Sequence, residues 1–159
     1  MLFRSALELA VREAPGWQDI LAAQRDRTQN PDRKARFVFA MPALSADPAT
    51  REAAFERFRR PENRRREAWV IESLTYLHHP LRADHGRRFV QPSLEMLREI
   101  QQTGDIFFPS RWMNATLWGH QTADVATTVR TFLSRERDYP ERLRWTILTA
   151  ADELFRTTR

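Results

Sequence analysis

Apolar residues recur at intervals of three and four along most of the chain, and prolines, glycines and short polar caps interrupt them. The strongest such stretch runs from Glu67 to Pro80. Val70, Ile71, Leu74, Leu77 and His78 share one face there, while Glu67, Thr75 and His79 fall elsewhere. Pro61 lies upstream, where a helix can begin, and Pro80 cannot continue one. The pattern predicts a central helix with other helices packed before and after it.

Ahead of it, Leu2, Phe3, Leu7, Ala10 and Val11 make a short stripe that Pro15 and Gly16 stop, and Trp17, Ile20 and Leu21 make a second. Asn30-Pro31 reads as a helix start, with Asn as N-cap and Pro in the first turn. It opens a stripe of Phe37, Val38, Met41 and Leu44. Asp47-Pro48 repeats the signal before Ala54, Phe55 and Phe58. Beyond Pro80, residues 82–90 read as a short helix. Residues 93–102 carry Leu94, Leu97 and Ile100 until Gly104. Residues 105–109 form an apolar loop, and Pro109 opens a helix over 111–118 that Gly119 closes. Thr122 caps a helix carrying Val125, Val129, Phe132 and Leu133, and Tyr139-Pro140 opens the last one, with Leu143, Ile147, Ala151 and Leu154.

No run reads as a strand with a partner; the apolar triplets at 37–39 and 106–108 are too short and border helix signals. The expectation is an all-α single domain over residues 1–159, with about nine or ten helices. Its short connections force consecutive helices to pack antiparallel. Pro31, Pro61 and Pro92 lie about 30 residues apart, as do Pro48 and Pro80, and Pro109 and Pro140. That is the length of a helix pair in an α-solenoid, the alternative being a compact irregular bundle.

A chain of 159 residues can bury a sizeable core without staples. It has no cysteine, which excludes disulfides, thiolate chemistry and zinc sites that need sulfur. No apolar run approaches the ~18 residues that cross a bilayer, and Glu8 inside the first apolar stretch argues against a cleaved signal peptide. The net charge of +5 and a pI near 10.8 invite a nucleic-acid reading. Lys34 is the only lysine, however, and acids are interspersed among the arginines. Nucleic acid is therefore not expected as the main partner.

Candidate chemistry is sparse. His78 and His85 are seven apart with Asp84 adjacent, which is not ligand spacing. The plainer reading packs His78 in the core at a helix end and leaves His79 and His85 solvated near the turn. Glu95 and Glu99, at i, i+4, read as an exposed pair beside Arg98. No nucleophile motif and no glycine-rich phosphate loop is present. Two features exceed a plain bundle. Arg57, Arg59, Arg60, Arg64, Arg65 and Arg66 cluster around one turn, either as a solvated end or as a docking edge for an acidic partner. Phe107, Phe108, Arg111 and Trp112 could wall a binding surface, with Arg111 holding a carboxylate, or could plug the core. Arg111 and Trp112 are adjacent on a helix, about 100° apart, so Trp112 is expected inside and Arg111 outside.

Seven collinear segments are shared with a known family: NPDRKARFVF at 30–39, PALS at 42–45, PENR at 61–64, EAWV at 67–70, YLHHPLR at 76–82, EIQQTGDIFFP at 99–109 and YPERLR at 139–144. On these the chain resembles the C-terminal helical domain of aminopeptidase N-like zinc metallopeptidases of the bacterial type, over about residues 30–155. The resemblance implies antiparallel helix pairs stacked as a HEAT-like α-superhelix, resting on a thermolysin-like catalytic domain and closing a chamber over its active site. It also implies the partners, namely that catalytic domain and, through it, a peptide substrate. The family's zinc-binding His-Glu-x-x-His and its Gly-x-Met-Glu-Asn motif belong to the catalytic domain, and neither occurs in this chain. The chain alone is therefore expected to have no catalytic residues and no cofactor, with zinc held by the parent's catalytic domain. Phe107, Phe108, Arg111 and Trp112 would border the substrate chamber, and Arg57, Arg60, Arg64 and Arg65 the docking edge. The alternative is a free-standing helical scaffold that binds another protein.

Overall fold

The computed structural model describes residues 2–158, with side chains described over 4–158. Every regular element among them is helical. The order is α1 (Leu2–Val11), α2 (Trp17–Arg27), α3 (Pro31–Ala40), α4 (Pro48–Glu56), α5 (Glu67–Leu77), α6 (Ala83–Gly86), α7 (Val90–Glu95), α8 (Leu97–Thr103), α9 (Phe108–Leu117), α10 (Ala123–Arg135), α11 (Glu141–Ala150) and α12 (Asp152–Thr157). Single 3-10 turns at Met41–Leu44, Arg57–Arg59, Pro61–Arg64, Pro80–Arg82 and Arg87–Phe89 fill most of the gaps. The side chains of Leu2 and Phe3, which open the first apolar stripe, lie outside the described residues.

Two of the polar starts act as read, while Thr122 precedes α10 without a side-chain cap bond, its hydroxyl donating to the Asp124 carboxylate instead. Asn30 Oδ1 accepts the Arg33 N–H at 3.0 Å, and the Asp47 carboxylate accepts those of Ala49 and Thr50 at 3.3 and 2.9 Å. Pro31 and Pro48 follow in the first turn, where a missing N–H loses no helical bond. There are more helices than the periodicity suggests because three stretches are subdivided. The backbone at Met96 and Ala151 has ψ of −12° and 0°, which tightens one turn and separates α7 from α8 and α11 from α12. Residues 82–90 divide into α6 and a 3-10 turn. Pro92 sits inside the first turn of α7 rather than ahead of a helix, since that N–H also needs no helical acceptor.

Packing sets a row of four helices beside a shorter one. α3, α5, α9 and α11 each pack on the next. α7 packs on α10, and α4 reaches the start of α7 through Phe55, stacked on Phe89 at 4.7 Å. α1 and α2 pair with each other, and α1 lies on the Met41–Leu44 turn. Between the rows run the largest buried side chains. Phe58 stands edge-on to Phe55 and to Trp112, and Trp112 edge-on to Phe108. Edge-to-face pairing adds to the area these rings bury.

The central helix holds its predicted place. α5 packs on α3, α4, α9 and the Met41–Leu44 turn. Val70, Leu74, Leu77 and His78 are fully buried, and Ile71 is half-buried. Trp69 is half-buried too, its ring edge-on to Phe39 and covered by the Arg66 guanidinium. Leu74→Ala should lower stability by about 3 kcal/mol, the cost of a buried leucine truncation with partial collapse of the cavity. Urea unfolding at constant m-value reads this directly, and an unmoved midpoint would place the helix at the surface.

Candidate functional site

The loop between α8 and α9 is built around one carboxylate. Glu67 begins α5, where the helix N-terminus favours negative charge. Its Oε1 accepts the Asp105 N–H at 2.7 Å, and its Oε2 accepts Arg111 Nη2 at 2.9 Å. Asp105 Oδ1 in turn accepts the Phe107 N–H at 2.7 Å and Arg111 Nη2 at 3.4 Å. Gly104 permits the tight approach: a Cβ there would stand 2.5 Å from the Phe108 ring. The backbone is held on three sides, and Ile106 and Phe107 are left 63% and 68% exposed.

The structure separates the four residues expected to wall a chamber. Phe108 and Trp112 are corrected to core positions. Both are buried against each other, Trp112 also stands edge-on to Phe58, and Trp112 Nε1 donates to the Ser93 carbonyl at 3.1 Å. Trp112 is thus inside and Arg111 outside, as helical spacing requires. Arg111 stays exposed, with its Nη2 held by Glu67 and Asp105, so that it also fixes the loop. Phe107 alone of the four presents an apolar surface to solvent.

The arginine cluster is likewise divided. Arg64 is corrected to a buried residue. Its Nη1 donates to the Phe58 carbonyl at 2.5 Å, and its Nη2 meets Glu99 at 3.2 Å. It ties the Pro61–Arg64 turn to α8, because the turn directs it inward beneath α5. Arg57 lies over the Phe39 ring, Arg59 pairs with Glu56, and Arg66 pairs with Asp32. Arg60 and Arg65 remain exposed, with no side-chain partner among the described residues. Four arginines of the cluster thus make separate contacts more than they form one basic edge.

Histidines gather at the far end of α5. His78 Nδ1 lies 2.8 Å from His120 Nε2, a fully buried hydrogen bond in which one ring donates and the other accepts. Burial holds His78 well below the ordinary imidazole range, with the neighbouring His120 adding to the effect. Burial brings His120 down to about 4, against the opposing pull of Asp124. Both are neutral near pH 7. His79 and His85, expected in solvent, are corrected as well. His79 is buried edge-on to Trp118, and its Nδ1 accepts the Leu81 N–H. His85 is half-buried beside Arg51 and Phe89. The reason is Arg82, whose buried guanidinium donates to the Leu44 and Ser45 carbonyls and draws the chain after Pro80 back onto the core. Among the described residues no three histidine or carboxylate side chains converge as a metal-binding group.

Sequence reasoning missed a cavity of about 860 Å³ between α1 and α3, bordered by Glu72 of α5. Arg4 and Glu8 of α1 line it with Arg12 just past the helix end, and Arg33 and Arg36 line it from α3. The fours along α1 and the threes along α3 were a usable signal, but nothing local says that the two faces oppose each other. The chain matches no protein-family model, no curated protein and no solved structure.

Proposed function

We propose that the chain is a non-catalytic helical domain of an aminopeptidase N-like zinc metallopeptidase, packing on the catalytic domain and shaping peptide access to it. The observation that carries this reading is the tip formed by Ile106 and Phe107. Two large apolar side chains stand in water on a loop whose backbone is fixed by Glu67, Asp105 and Arg111. Exposed apolar groups at fixed geometry add nothing to the chain's own stability, and they add binding energy when a partner covers them. The tip also falls within EIQQTGDIFFP, one of the segments on which the resemblance rests.

In this reading the chain's part in the reaction is positional. Zinc and the chemical step belong to the catalytic domain, and this chain limits which peptides approach. The test is reconstitution with the zinc-peptidase module encoded beside this chain. The two should co-elute, and Phe107→Glu should separate them, because it places a charge in an apolar contact. Joining them should change the cleavage of longer peptides more than that of a small aminoacyl anilide. The chain alone should retain no stoichiometric zinc and release no product. The absence of such a module, or co-elution unaffected by Phe107→Glu, would sink the reading.

A further inference from the structure

The cavity between α1 and α3 has the composition of a binding groove. Arg4 rises from α1, Arg12 from the turn just after it and Arg33 from α3. Arg12 reaches back to Glu8 at 3.4 Å, and Arg36 is held by Glu72 at 2.6 Å. Arg4 and Arg33 are exposed and have no side-chain partner among the described residues. The groove continues into a second space of about 240 Å³, which shares Arg4, Glu8, Arg36 and Glu72 with the first. There Ile71 and Thr75 of α5 and the 44% exposed Trp118 supply an apolar shelf.

We infer that this groove binds an acidic peptide segment of a partner protein. The charge pattern selects the ligand class. Two unpaired guanidiniums face a concavity and recognise carboxylates in fork geometry. Glu8 and Glu72 line the same groove, so a continuous phosphate backbone would meet carboxylates as well as arginines. A peptide places its negative charges at intervals and offers backbone N–H donors to those same two carboxylates. Spacing agrees with this. Arg12, one residue past α1, is eight residues from Arg4, roughly 12 Å at helical rise, and a ligand carboxylate that displaces Glu8 from it would meet both arginines. Carboxylates four residues apart on an extended strand span about the same distance. A large apolar side chain between or beside them would lie on Trp118 and Ile71.

The experiment uses a fluorescein-labelled peptide with two glutamates four residues apart and a leucine between them, followed by anisotropy at low and high salt. The chain should bind it, and salt should weaken the binding. Arg4→Glu with Arg33→Glu should weaken it at least about tenfold. Arg135→Glu with Arg137→Glu makes the same change in net charge on exposed residues at and just past the end of α10, and should leave binding unchanged. Arg33→Gln is the milder variant, to be used if the charge reversals disturb folding, and should still weaken binding. Three results would overturn the inference: no binding by the unaltered chain, equal loss in both double variants, or tighter binding of an oligonucleotide of equal charge through the same two arginines.

Discussion

Alanine at position 119 is expected to destabilise the protein by about 4 kcal/mol or more, a size reserved for gross steric conflict at a packed site. A Cβ on Gly119 would stand 1.8 Å from the His78 carbonyl oxygen and 3.0 Å from the Pro80 nitrogen. Both obstacles are backbone, so no rotamer change relieves them. Either α9 lifts from the end of α5, or the chain after His78 moves and exposes the histidine pair. Gly86 makes a similar approach on the other side, where a Cβ would come within 2.8 Å of the Leu77 carbonyl. Gly16 is the useful comparison. Its φ of +74° disfavours alanine, but nothing lies within 4 Å of the added carbon. Gly16→Ala should therefore lose only about 1 kcal/mol, the conformational penalty alone. Chemical denaturation of the two variants separates the causes, and equal small losses would mean that the close approach at Gly119 relaxes freely.

Mild acid should unfold the protein through the same region. His78 and His120 have folded-state pKa values below the unfolded value near 6.5, so the unfolded chain binds their protons first. The stability they contribute is fully present above pH 6.5 and is lost as the pH falls toward their folded values. His120, at about 4, accounts for roughly 3 kcal/mol between pH 7 and pH 4. His78 adds to it in the same direction. Burial also lowers His79 and His85, which deepens the effect. The carboxylates held low by hydrogen bonds, such as Asp47 and Asp124, lose their contribution from about pH 5 downward and so touch only the acid edge of this window. Urea midpoints measured from pH 7 to pH 4.5 should fall steeply for the unaltered chain. In the His78→Leu, His120→Leu double variant the slope should be much reduced, since apolar groups of similar volume replace both partners. An unchanged slope would assign the proton uptake to other groups.

Helix starts were legible because their cause is local. Asn30-Pro31 and Asp47-Pro48 announce caps whose hydrogen bonds close within three residues. The stripe from Val70 to Leu77 was legible because one helical face accounts for it. The arginines were misread for the opposite reason. Arg64 and Arg65 are neighbours in a basic run, yet one is buried and the other exposed, and only the turn at Pro61–Arg64 decides which. Phe107 and Phe108 divide in the same way at the first turn of α9. His120 gave no signal at all, because its partner lies 42 residues away and meets it only when α9 closes on α5. Local chemistry is readable from the chain; opposition of distant faces is a property of the packing.

The carboxylate of Glu67 also bears on the entropy of association. A loop that must order when it meets a partner loses conformational freedom at that moment, about 0.5–1.5 kcal/mol for each rotamer-rich side chain it immobilises. Here the backbone from Asp105 to Phe107 is already tied to the first turn of α5 and to Arg111. That ordering is complete when the chain folds. Contact at Ile106 and Phe107 then needs little further restriction of the backbone, and the surface they bury counts almost undiminished toward affinity.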